Sequence, residues 1–243
     1  MDPDPSTSTD QDGAALAAVV DVMDRLRSPG GCPWDAEQTH ESLVRYLLEE
    51  AHELAEAIET GDRAGMREEL GDVLLQVVFH ARIASEDPGD PFTIDDVAAD
   101  LVAKLRRRHP HVFAGAEVTD LHAQWAAIKQ EEKQRASVLD GIPPTLGALA
   151  YAQKVLGRAD RAGLTQVLPP AATAAPAEAD PAAAQADPAA AQEDPARLGQ
   201  ELLTLVERAR RAGIDAEGAL RAAVREVSAA VRAAEPSPGR PAP

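Results

Sequence analysis

The chain has 243 residues, enough for one or two domains with a helical core, and its 41 acidic against 24 basic residues leave a formal net charge of -17. That balance opposes broad binding to nucleic acid or to anionic membranes, while leaving room for one small basic phosphate pocket. A single cysteine, Cys32, excludes an intramolecular disulfide and an all-cysteine metal centre. Neither terminus carries a basic-apolar signal pattern, and no apolar run reaches about eighteen residues, so cytoplasmic residence is the default expectation.

Met1 to Gly13 is polar and rich in Pro, Ser and Thr, which predicts a loose tail. Order is expected from Ala14, where Leu16, Val19, Val20, Met23 and Leu26 recur at helical spacing. Ser28 to Asp35 interrupts that helix with Pro29, Gly30, Gly31 and Pro33; Cys32 lies among these turn formers and reads as a small structural side chain. Further helices are predicted over His40 to Glu59, Arg63 to Ser85, Thr93 to Arg108 and Asp120 to Ala136, with Thr93 or Asp95 available as a cap. Pro110 ends the fourth of these five helices. Valine-rich alternating strands are absent, so an all-α bundle is the economical fold class.

Two acidic clusters stand out: Glu49, Glu50 and Glu53 on the second predicted helix, Glu69 and Asp72 on the third. The strong break between them is Thr60-Gly61-Asp62, which predicts an antiparallel hairpin. Glu53 and Glu69 are each eight residues from Gly61, and Glu50 and Asp72 each eleven. Those levels fall roughly 12 and 16 Å from the turn, so the carboxylates face one another across the hairpin. Glu50 also interrupts an apolar stripe of Leu43, Leu47, Leu54 and Ala57, and Asp72 sits among Leu70, Val73, Leu74, Val77 and Val78. Solvated acidic faces are the ordinary outcome for Glu-rich helices. Here the matched levels and apolar setting favour a bound cation, because converging carboxylates repel, and an oxygen-only donor set suits Mg²⁺ or Mn²⁺. Such an ion is also a natural bridge to a polyphosphate.

A basic and aromatic counterpart follows. Lys104 and Arg108 are four apart, as are Trp125 and Lys129, so each pair projects from one helix side. Cations suit phosphates, and an indole suits a base or sugar. The zinc HExxH pattern, a Walker loop and a nucleophile elbow are all missing. His52, His80, His109 and His111 read as packing or helix-end residues.

After residues 145 to 161 the composition shifts. Residues 169 to 195 are mostly Ala, Pro, Asp and Gln, with ADPAAAQ duplicated, which predicts a flexible or partly extended linker. Beyond it, Leu198, Leu202, Leu205, Val206 and Ala209 predict another helix, and Ile214 to Ala234 a last one. Neither carries a matching carboxylate set.

At these residues the sequence resembles the MazG family of all-helical nucleoside triphosphate pyrophosphohydrolases. The family pattern EExxE then ExxD appears as Glu49-Glu50-Ala51-His52-Glu53 and Glu69-Leu70-Gly71-Asp72. GCPWDAEQTHESL, VVFHARIA, RRRHPHVFAG and the Trp125/Lys129 segment extend the likeness from roughly Leu16 to Lys133. The resemblance implies hydrolysis of NTPs and dNTPs to monophosphate and pyrophosphate with Mg²⁺, housecleaning of the nucleotide pool, and a homodimer, an assembly also suggested by the apolar VLLQVVF stretch. It further implies that Glu50, Glu53, Glu69 and Asp72 bind metal, that Glu49 binds a second ion or orients water, and that Lys104, Arg108, Trp125 and Lys129 contact nucleotide. A catalytic domain is thus expected over 14 to 137. A second likeness covers 144 to 166 and 196 to 235, expected to be a degenerate copy: ADPAAAQ replaces the first acidic helix, and Arg197-Leu198-Gly199-Gln200 stands where ExxD recurs.

Overall fold

Nine α-helices and no strand occur among the described residues, which are 6–115, 136–164, 166, 168–169 and 194–235 of the computed structural model. The protein is all-α, as its patterning implies. The chain divides into two units, Met1–Ile128 and Lys129–Pro243.

In the first unit α1 (Ser6–Arg27), α2 (Pro33–Glu37), α3 (His40–Thr60), α4 (Arg63–Ala84), α5 (Ile94–Arg108) and α6 (Pro110–Phe113) follow in order. The expected tail is partly wrong, because α1 begins at Ser6 rather than near Ala14. Ser6 to Gln11 contains no proline, so a helix nucleated by the apolar turns downstream extends back until Pro5. The predicted helix over 120 to 136 lies outside the described residues.

Local chemistry explains the boundaries of the central hairpin. Thr39 opens α3 with a reciprocal capping box to Ser42. Gly61 closes it in the left-handed region at φ 74°, a conformation that favours glycine. Asp62 then caps α4, its carboxylate accepting from the Ala64 and Gly65 amides. Thr93 is the residue that caps α5, in a second box with Asp96.

Helix α4 packs against α3, α1 and α5, so the core gathers around it. Met23, Leu43, Val78 and Phe79 are buried together, flanked by Val19, Val20, Tyr46, Leu74, Ile83 and Ile94. Full burial of side chains of this kind is worth roughly 1.5–3 kcal/mol each. Trp34 of α2 meets Tyr46 and Phe79 edge-on, at centroid separations of 5.9 and 6.4 Å. Arg27 closes the same end: Nη1 donates to the Asp35 and Gln38 carbonyls, while Nε and Nη2 donate to Glu86 at 3.0 and 2.8 Å. Arg82 donates to both Asp24 and Glu86, tying α1 to the end of α4.

The second unit contains α7 (Ala148–Arg161), α8 (Pro195–Arg211) and α9 (Ala216–Ala234), packed against one another. Pro195, the last residue of the expected linker, is the first residue of α8, with Asp194 as its cap; residues 170–193 of that linker lie outside the described residues. Gln153 holds the α8/α9 turn by donating to the Ile214 carbonyl and accepting from the Ala216 amide. Arg158 donates to the Val138 and Asp140 carbonyls and anchors the segment before α7. Glu207 is 1% exposed. It is held by Arg210 at 2.6 and 2.9 Å and by Arg211 at 2.7 Å, and Arg210 also reaches Asp160 at 3.0 Å. Those hydrogen bonds, Arg210's foremost, keep the Glu207 carboxyl below its ordinary range despite burial.

Candidate metal centre

The hairpin brings Glu50 of α3 together with Glu69 and Asp72 of α4. One carboxylate oxygen from each lies within 4.8 Å of the others, and all three side chains are half-buried. The α4 pair is three residues apart and therefore shares a face, while the Gly61 turn sets Glu50 opposite them. Three such oxygens from two helices form a donor set suited to a hard divalent cation, and they are the one candidate metal group among the described residues.

Electrostatics reflects the crowding. Loss of hydration pushes the Glu50 carboxyl above its ordinary range, and repulsion from Asp72, Glu53, Glu69 and Glu49 adds to the rise. Glu69 is likewise raised, by desolvation first and then by Glu53, Asp72 and Glu68. A cation placed among them would reverse both effects.

The other expected residues that are described lie outside this group. Glu53 is exposed and outside the group of three, yet its charge acts on both Glu50 and Glu69. Glu49, also exposed, acts on Glu50. Lys104 and Arg108 lie on α5, which packs against α4; Lys104 is exposed and Arg108 half-buried in the last turn. Trp125 and Lys129 lie outside the described residues.

Further along α4, at four-residue steps from Asp72, come Gln76 and His80, whose polar atoms Oε1 and Nε2 are buried without a hydrogen-bond partner. His80 also meets the stacked ring of His40, Nδ1 to Nδ1 at 2.7 Å. His80, expected to be a packing or helix-end residue, makes this contact with α3 as well. The Asp72, Gln76, His80 spacing was the available signal.

An all-helical hairpin presenting carboxylates from both arms defines a candidate divalent-cation centre. A family model described as the MazG nucleotide pyrophosphohydrolase domain matches residues 38–113, the stretch that holds the hairpin and α5. The chain is 47% identical to an uncharacterized 26.1 kDa protein from Streptomyces cacaoi, over 94% of this chain and 86% of that one. It is 42% identical to the nucleoside triphosphate pyrophosphohydrolase/pyrophosphatase MazG of Thermotoga maritima, over 88% of this chain and 83% of that protein. It is 52% identical to the nucleoside triphosphate pyrophosphohydrolase of Mycolicibacterium smegmatis, over 66% of this chain and 51% of that protein, so it spans about half the length of this relative. The chain belongs to the MazG family.

Proposed function

We propose that the protein hydrolyses nucleoside triphosphates, ribo and deoxy, to the monophosphate and pyrophosphate, using Mg²⁺ with Mn²⁺ as a substitute. The observation that carries this reading is the convergence of Glu50, Glu69 and Asp72 within the segment matched by the family model. Relatives named nucleoside triphosphate pyrophosphohydrolase support the same bond specificity.

Glu50, Glu69 and Asp72 would hold the ion, with Glu53 as the fourth carboxylate bearing on it. When bound, Mg²⁺ supplies polarisation of the phosphate and neutralisation of the charge that develops as pyrophosphate departs. Glu49 orders water beside the alpha phosphorus or contributes to a second cation site. The carboxylates suit ordering or deprotonation of that water better than covalent attack. Lys104, Arg108 and Lys129 stabilise the beta and gamma phosphates electrostatically, and the Trp125 indole offers a flat surface to base or sugar.

A second copy of the chain completes the proposed assembly, a homodimer, supported by Leu70, Leu75 and Val77 standing exposed on α4. No described helix is long and apolar enough to cross a membrane. The cellular role that fits is housecleaning of the nucleotide pool in the cytoplasm. The second unit, with Arg197 and Gln200 at the positions corresponding to Glu69 and Asp72, supports structure or regulation without a site of its own.

Product analysis at early times tests the reaction. Monophosphate and pyrophosphate are expected as first products with Mg²⁺; diphosphate plus orthophosphate would refute the bond assignment. Nucleotide binding without turnover would make the protein a sensor.

A further inference from the structure

Two polar atoms on α4 stand buried and unmatched: Gln76 Oε1 and His80 Nε2. Gln76 as a whole is 5% exposed, and its neighbours Val78 and Phe79 belong to the apolar core. Atoms of this kind lose their hydration on folding, and native proteins restore it with a protein partner or an internal water. The two residues are four apart, one turn along a single helix face, where side chains are spaced by about 5–6 Å. Two orphaned polar groups one turn apart on a single helix face are within reach of one bridging water.

The other nitrogen of the His80 ring continues the line. His80 Nδ1 lies 2.7 Å from His40 Nδ1, and the rings are parallel within 1°. One proton occupies that contact, so one ring donates and the other accepts. Leucine and valine packing between α3 and α4 brings the helices together without directional bonds. The His40–His80 bond is directional. Because the acidic group takes Glu50 from α3 but Glu69 and Asp72 from α4, its geometry depends on how the two helices are set.

The geometry points to an internal water held between Gln76 Oε1 and His80 Nε2, which makes Gln76 and His80 positioning residues that set the Asp72 face of α4 against α3. Without the bridge, the His80 ring loses the partner that fixes its orientation, its bond to His40 of α3 slackens, and the setting of α4 against α3 loosens with it. Asp72, one turn before Gln76 on the same face, then moves relative to Glu50. The role in turnover rests on the hydrolase reading; the water and the effect on cation affinity do not.

A crystal structure that orders internal waters should place one within hydrogen-bonding distance of both atoms. A dry gap, or Gln76 turned to another partner, would overturn the site. The functional arm uses Gln76→Met in the full chain, which keeps volume and removes both polar ends. With helicity unchanged, Mn²⁺ affinity measured without nucleotide should fall about tenfold, the lower end of the losses seen when supporting hydrogen bonds around metal ligands are removed. Unchanged affinity in the folded variant defeats the positioning role. Imidazole titration by NMR gives an independent readout on wild type and variant. Burial and then His40 hold the His80 pKa below its ordinary value, while Glu41 of α3 and Asp87 after α4 are the acids coupled to His40. The variant should shift the His80 titration, and an identical curve counts against the bridge. If wild-type protein binds Mn²⁺ normally but hydrolyses no nucleotide, the hydrolase reading fails and this one stands.

Discussion

Replacing Glu50 by Gln should stabilise the metal-free protein and destabilise it relative to wild type when cation is present. The Glu50 and Asp72 oxygens come within 4.8 Å. At such a distance two like charges repel by about 1 kcal/mol in water-like surroundings and by several in a low-dielectric interior. Both side chains are half-buried, so solvent screening keeps the relief near the lower figure, about 1 kcal/mol. For a unit of this size that raises the melting temperature by roughly 4 °C. Magnesium at about a hundred times its dissociation constant adds about 2.7 kcal/mol to a competent site, and Glu50→Gln should lose most of that. Circular dichroism melts in EDTA and in excess Mg²⁺ should therefore rank the two proteins in opposite orders.

The pH dependence has a fixed sign. A carboxyl raised above its ordinary 4.5 on folding binds more protons in the folded state, so its penalty is full above the folded-state pKa and absent below 4.5. The advantage of Glu50→Gln in EDTA should therefore shrink as pH falls and vanish below about 4.5. A variant that melts lower in EDTA at neutral pH, or that keeps the full Mg²⁺ response, would refute this account of the cluster.

The buried Glu207 should behave oppositely: its carboxyl is depressed by Arg210 and Arg211, so its stabilisation is present above the unfolded value and lost as pH falls through the folded one. Glu207→Gln should cost about 3 kcal/mol in urea unfolding of the second unit, by leaving the Arg210 charge short of partners, and should flatten the acid limb; no loss would show that the network is dispensable. Lys104→Ala and Arg108→Ala should weaken turnover about tenfold or more each while sparing Mn²⁺ affinity, a division that steady-state kinetics and cation titration separate. Truncation near Leu139 should retain some metal-dependent hydrolysis, and pyrophosphate release by an isolated fragment from Leu146 onward would overturn the assignment of chemistry to the first unit.

Much of the hairpin was legible because its signals are local. Thr39, Gly61, Asp62 and Thr93 act on backbone groups within a few residues, so the ends of α3, α4 and α5 follow from side-chain chemistry at those positions. Helical spacing placed Glu69 with Asp72, and equal distances from Gly61 placed Glu50 across from them. The start of α1 was misjudged because a polar run without proline permits helix as readily as coil, and the choice falls to the cooperative extension of the neighbouring turns.

What the sequence by itself determined is the all-α class, the hairpin and the acidic character of its site, since periodicity, capping and turn chemistry all depend on near neighbours. Tertiary structure decided which oxygens come together: Glu50, Glu69 and Asp72 form one group, while Glu53 lies outside that group and its charge acts on Glu50 and Glu69. It also decided that Gln76 is buried, that His40 meets His80, and that Glu207 lies buried among arginines. These depend on the rotation and slide of one helix against another, which the summed packing of many side chains sets and which no single stretch of residues encodes.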